Sequence, residues 1–166
     1  MLIKTLLNKV ERFKSFIYGD ARFQTVKGSE ALVIDIKARC NSKPACPECG
    51  KRGKVHGLQK PRLYEYVPVW AFKVYFAYQA RRVICPVHGI HVEDVPWAYG
   101  KEQMTYSYQV YLAKWAKRLS WKETADIFLT SWDSVFRAVQ YVVDYGLANR
   151  NLDGVTEIGV DEISVF

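Results

Sequence analysis

The chain has 166 residues, 49% of them hydrophobic, which allows one domain or two small ones and enough apolar surface for a core. No apolar run approaches the roughly 18 residues of a membrane-spanning helix. Met1-Leu2-Ile3-Lys4 does not open a signal peptide's apolar region, so no membrane partner is expected. The 24 Lys and Arg outnumber the 17 Asp and Glu, and the excess is uneven. Asp153, Glu157, Asp161 and Glu162 lie in residues 151–166, which hold no Lys or Arg, leaving 13 acidic against 24 basic groups in the first 150. A basic body suits a polyanionic partner, although a merely soluble basic domain shows the same charge.

In chain order, Leu2, Leu6, Val10, Phe13 and Ile17 recur at helical spacing, and the pattern predicts an amphipathic helix over 2–18, ended by Gly19-Asp20. Residues 22–26 and 31–38 are β-rich and flank the turn Lys27-Gly28-Ser29-Glu30, which predicts a hairpin. It leads into Cys46-Pro47-Glu48-Cys49-Gly50, which has a counterpart in Cys85-Pro86-Val87-His88-Gly89. Each stretch holds two soft ligands separated by two residues, on a turn that Pro can start and Gly can close. Together they supply the four ligands of a tetrahedral structural Zn²⁺: Cys46, Cys49, Cys85 and His88. Ordinary buried cysteines would not explain why three of the four Cys sit in such turns. A redox Cys46–Cys49 pair calls for a helix where Gly50-Lys51-Arg52-Gly53 is a poor start. Cys40, His56 and His91 remain as spare ligands, and His91 can replace His88. Cysteines in metal-type pairs fit a reducing cytosol.

Between the half-sites, Lys51, Arg52, Lys54, Arg81 and Arg82 belong to a basic stretch with interleaved aromatics: Tyr64, Tyr66, Trp70, Phe72, Tyr75, Phe76 and Tyr78. These five basic residues can contact DNA phosphates, and the aromatics read as core. Residues 62–67 and 72–84 alternate loosely, predicting a long antiparallel hairpin closed at its base by zinc. Pro96 breaks an exit segment, and Gly100 marks a domain boundary. The expected organisation is a zinc-binding β-rich domain with an N-terminal helix (1–99), a helical domain (100–148), and a linker with one strand (149–166).

Residues 102–119 place Met104, Tyr108, Tyr111, Leu112, Trp115 and Leu119 on one side of a helix. Ser120-Trp121-Lys122-Glu123 and Thr130-Ser131-Trp132-Asp133 are capping boxes, and Val135, Phe136, Val139, Val142 and Val143 form a stripe to bury. A short helix, a turn and a second helix make the helix-turn-helix pattern, whose second helix enters the major groove. Small Ala125 suits a close crossing, and Leu129 stands where a glycine is common. Ser131, Trp132, Asp133, Ser134 and Arg137 would face outward to DNA, with Arg137 pairing guanine or phosphate. A helical hairpin used only for packing shows the same pattern. Residues 156–166 alternate like a strand and end on apolar residues, which suggests a cut at the start of another domain.

The order of these motifs resembles the N-terminal part of a bacterial insertion-sequence transposase of the insertion-sequence L-three group. The carriers are Cys46, Cys49, Cys85 and His88, Arg81-Arg82, Leu119-Ser120-Trp121, Ser131-Trp132 through Val135, and Ile158-Gly159-Val160-Asp161-Glu162. His88 stands where many relatives would have a fourth Cys, and a Cys3His site still holds zinc. The resemblance implies an α+β chain: a small zinc-binding antiparallel β domain, a helix-turn-helix domain, and the first strand of a ribonuclease-H-like catalytic domain. It implies three carboxylates binding two Mg²⁺ for in-line phosphoryl displacement, with Asp161 as the first and the others beyond Phe166. This chain alone should then not cleave DNA. Double-stranded DNA at the transposon ends is the implied partner, a homodimer the implied assembly, and the bacterial cytoplasm at the nucleoid the implied location. Two readings stand beside it: a stand-alone zinc-containing DNA-binding protein acting as transposition repressor, and a zinc-stabilised module for protein or RNA.

Overall fold

The computed structural model describes residues 3–70, 72–151 and 153; the expected final strand with Asp161 lies outside them. The architecture is mixed α+β. Helix α1 (Ile3–Val10) precedes strands β1 (Phe16–Val26), β2 (Ser29–Ala38), β3 (Lys54–Leu58), β4 (Arg62–Val69), β5 (Phe72–Tyr78), β6 (Arg81–Cys85) and β7 (Gly89–Val92), and helices α2 (Tyr106–Ala116), α3 (Trp121–Ile127) and α4 (Trp132–Ala148) follow. No described helix is long and apolar enough to cross a membrane.

The strands form a four-stranded sheet, ordered β1-β2-β5-β4, and a three-stranded sheet, ordered β3-β6-β7. In the larger sheet two antiparallel hairpins join through a parallel pairing of β2 with β5, with Ile34 opposite Phe76. A parallel pair needs a crossover, and here the connection carries the first Cys-Pro turn, β3 and β4. The second sheet is thus built partly from a crossover of the first.

Two predicted elements are corrected. The N-terminal helix stops at Val10 instead of running to residue 18. Phe13, Phe16 and Tyr18 turn into an aromatic core around the fully buried Trp97, and Phe16 to Tyr18 pair with β2. The helical spacing of Phe13 and Ile17 coincides there with the strand alternation that buries Phe16 and Tyr18 and exposes Ile17. The predicted strand 72–84 breaks at Gln79-Ala80: β5 stays with β4, while β6 crosses to β3 and β7 and brings Cys85 to the second sheet.

Aromatic packing dominates the body. Phe13, Phe16, Tyr64 and Tyr78 surround Trp97 with ring centroids 4.9–5.9 Å away, within the range of favourable edge-on contacts. Tyr66, Tyr75 and Phe76 are buried as expected, whereas Trp70 at the β4–β5 tip is 92% exposed. The helices attach through Thr105. Its amide and hydroxyl both donate to the Glu65 carbonyl on β4, and its hydroxyl oxygen caps α2 by accepting from Tyr108 N–H. That cap starts α2 at Tyr106, later than the predicted 102. Met104, Tyr108 and Leu112 then pack against Ala138 of α4.

Candidate metal centre and basic surface

The first half-site sits in the turn between Ala45 and Arg52, which form an isolated antiparallel bridge. The second is the β6–β7 turn, where Cys85 pairs with Gly89. Gly50 and Gly89 adopt φ of 68° and 79°, the left-handed conformation that costs glycine least. Gly53 solves a different local problem: a Cβ there would run into the Ile84 carbonyl and reach within 2.7 Å of Val83 Cγ2. Glycine therefore lets the first turn close onto β6.

The four donor atoms of Cys46, Cys49, Cys85 and His88 all lie within 4.8 Å of one another. Cys49 Sγ is 3.7 Å from Cys85 Sγ, and His88 Nδ1 is 3.7 Å from Cys46 Sγ and 3.6 Å from Cys85 Sγ. A tetrahedron with metal–sulfur bonds of about 2.3 Å and a metal–nitrogen bond near 2.0 Å has edges of roughly 3.5–3.8 Å, so the donor set fits a zinc ion. His91 is placed elsewhere, its Nε2 donating to the His88 carbonyl at 2.7 Å. The backbone amides of His88 and Val87 draw the Cys85 thiol down to about 6. At Cys49 the Lys51 amide favours the thiolate, but burial and the Cys85 and Cys46 sulfurs outweigh it and push that thiol up. Three sulfurs this close resist joint ionisation unless a cation sits among them.

The basic residues divide. Lys51, Arg52 and Lys54 are exposed, and Arg82 is half-buried. Arg81 corrects its sequence expectation. It is buried, with Nε 3.0 Å and Nη2 2.7 Å from Glu93 Oε2 and Nη1 donating to the Ser42 carbonyl at 2.7 Å. Tyr78 also donates to Glu93, at 2.5 Å. Arg81 is thus spent on tying β6 to the segment before Trp97.

On the helices, Ser120 and Glu123 form the predicted capping box. The next cap falls on Ser131 instead of Thr130, with Ser131 Oγ accepting from Ser134 N–H. Leu129 takes φ 49°, the conformation of the glycine it stands for. Ser131, Trp132, Asp133 and Arg137 are exposed and Ser134 partly so. Arg137 lies between two carboxylates, 3.1 Å from Asp133 and 3.7 Å from Glu102. The predicted buried stripe is narrower than expected: Val135 and Ala138 are buried, whereas Phe136 and Val143 are 37% and 48% exposed. Phe136 stacks on Trp132 at 5.7 Å, with Trp121 against both, giving an aromatic cluster on the α3–α4 surface. The capping motifs placed Trp121 and Trp132 near helix starts but gave no sign that their rings would meet.

Residues 42–88 match a family described as the zinc-finger of transposase IS204/IS1001/IS1096/IS1165. The match ends on His88 and leaves out Cys40 and His91. The chain resembles the N-terminal part of an insertion-sequence transposase. Over 140 residues it is 29% identical to the transposase for insertion sequence element IS1557 of Mycobacterium tuberculosis, in the CDC 1551 / Oshkosh and ATCC 25618 / H37Rv strains. The alignment covers 80% of this chain and 30% of each of those transposases, so the chain spans under a third of their length. No solved structure matches.

Proposed function

We propose that this chain is the DNA-recognition portion of a DDE-type transposase, binding terminal inverted repeats of its element. The supporting observation is the convergence of the Cys46, Cys49, Cys85 and His88 donor atoms inside a segment that matches a transposase zinc finger. Four protein ligands leave a zinc ion no open position, so the metal supplies fold and no chemistry. In this reading α3 and α4 act as a helix-turn-helix, with Ser131, Trp132, Asp133, Ser134 and Arg137 toward the major groove and Lys51, Arg52, Lys54 and Arg82 toward phosphates. Arg137 would exchange Asp133 and Glu102 for guanine or phosphate. Asp161 would be the first of three carboxylates for two Mg²⁺, so this portion alone should not nick DNA. A homodimer and a nucleoid location in a bacterial cytoplasm complete the proposal.

The test is a fluorescence-anisotropy titration at one fixed salt concentration, with the inverted repeat flanking the gene and a scrambled duplex, with and without a zinc chelator. A preference of about a hundredfold or more for the repeat, lost with chelator, is expected. Arg137→Ala should weaken repeat binding by about 1–3 kcal/mol. Equal weak binding to both duplexes would overturn end recognition.

A further inference from the structure

A cleft of about 340 Å³ opens where the zinc-finger segment meets the start of the β-body. One wall is the α1–β1 connection, with Arg12, Lys14 and Ser15; the other carries Lys43, Ala45 and Arg52. Phe13, Phe16 and Pro96 contribute apolar surface. The two carboxylates present differ in availability: Glu93 is committed to Arg81 and Tyr78, and Asp94 alone is left to oppose the surrounding cations. Arg12, Lys14, Lys43 and Arg52 carry no ion-pair partner among the described residues. Four cationic residues that line one concavity without ion-pair partners favour a multivalent or repeating anion there.

The cleft is built rather than incidental. Arg52 donates from Nη2 to Ser15 Oγ at 3.2 Å and from Nη1 to the Lys43 carbonyl at 3.4 Å, so its guanidinium spans both walls. Arg39 Nε donates to the Lys14 carbonyl at 3.0 Å, and Asp94 N–H to the Ala45 carbonyl at 3.1 Å. Three arginine side-chain bonds and one backbone bond thus tie the walls together, and none of them uses the Lys14 or Lys43 ammonium group. The cleft also has a fixed relation to the helices. Ser107 at the start of α2 donates to Glu11, next to Arg12, and Tyr106 N–H donates to the Trp97 carbonyl, next to Pro96.

We propose that this cleft seats the phosphodiester backbone of the DNA that the helices engage, with Arg12, Lys14, Lys43 and Arg52 as its phosphate ligands. The proposal rests on the DNA-binding reading and extends its phosphate contacts from Arg52 to Lys43 and to the α1–β1 connection. Because one wall belongs to the finger segment, the site would exist only while that segment is folded. It would couple zinc binding to DNA affinity without the metal touching DNA.

The test uses the whole zinc-loaded chain and a generic duplex, with affinity measured over a series of salt concentrations. Each phosphate contact contributes about 0.9 to the slope of log K against log salt. Lys14→Gln and Lys43→Gln should each flatten the slope by about that amount, and the double variant by about twice it, with metal content unchanged. Lys27→Gln, at the β1–β2 turn at the far end of the sheet, should leave the slope alone. Slopes for the Lys14 and Lys43 variants equal to those of the parent and of Lys27→Gln would overturn the cleft while leaving DNA binding by the helices intact. A parent chain that binds no duplex at any salt would overturn both.

Discussion

At the scale of single residues, backbone geometry explains two positions that composition does not. Gly53 is a glycine because β6 passes where its side chain would be. Gly53→Ala should destabilise the zinc-loaded protein by about 1–3 kcal/mol, as overpacking does, read by thermal unfolding; an unchanged Tm would mean that the first Cys-Pro turn does not sit against β6. Leu129 is the converse case, a branched residue in the left-handed region and 68% exposed. Its side chain has little packing to lose there, so Leu129→Gly should stabilise by about 0.5–1 kcal/mol. A loss of stability would show that the side chain packs more than its exposure suggests. Arg81 carries a related lesson. A sequence shows charge but not the partner, and Glu93, twelve residues on, is what converts a basic candidate into a buried strut.

At the scale of elements, the local signals held where the cause was local. The capping box is satisfied within one turn of helix, so its residues alone suffice to read it. Glu123 accepts from Ser120 N–H at 2.9 Å and from Ser120 Oγ at 2.7 Å, and these bonds hold its carboxyl below the ordinary glutamate range. A pKa depressed by folding stabilises the fold fully above the unfolded value near ~4.3 and loses that contribution as pH falls through the folded value. NMR titration should find the Glu123 pKa below ordinary glutamate in the parent and shifted up toward it in Ser120→Ala, with Tm reduced at neutral pH and the difference fading in acid. Coincident titrations in the two proteins would contradict the box. The predicted helix over 2–18 failed because its cause was not local: Phe16 and Tyr18 answer to Trp97, some eighty positions away in the chain. The strand over 72–84 failed likewise, since nothing in its alternation marks the point at which the chain changes sheets.

At the scale of the whole molecule, the two sheets differ in what holds them. The larger has an extended aromatic and aliphatic core. Among the described residues the smaller buries only Cys46, Val83 and Cys85 together as an apolar cluster, too little surface to hold three strands, so metal binding must supply much of its folding free energy. Chelation should therefore release amide protection in β3, β6 and β7 while β1, β2, β4 and β5 remain protected, read by hydrogen exchange. Uniform loss would mean that the metal and the body unfold as one unit. Uniform retention would mean that the small sheet stands without metal.

The sequence by itself determined the ligand chemistry, the two glycine-closed turns, the hairpin at 22–38 and the capped start of α3 at Ser120. Each follows from residues within a few positions of one another, or from a motif repeated along the chain. Only the tertiary structure decided that the two half-sites converge, that His88 joins the cluster and His91 does not, that β2 runs parallel to β5, and that Arg81 is buried while Trp132 and Phe136 stack at the surface. These depend on contacts between residues far apart in the chain, where burial and partner geometry override local propensity.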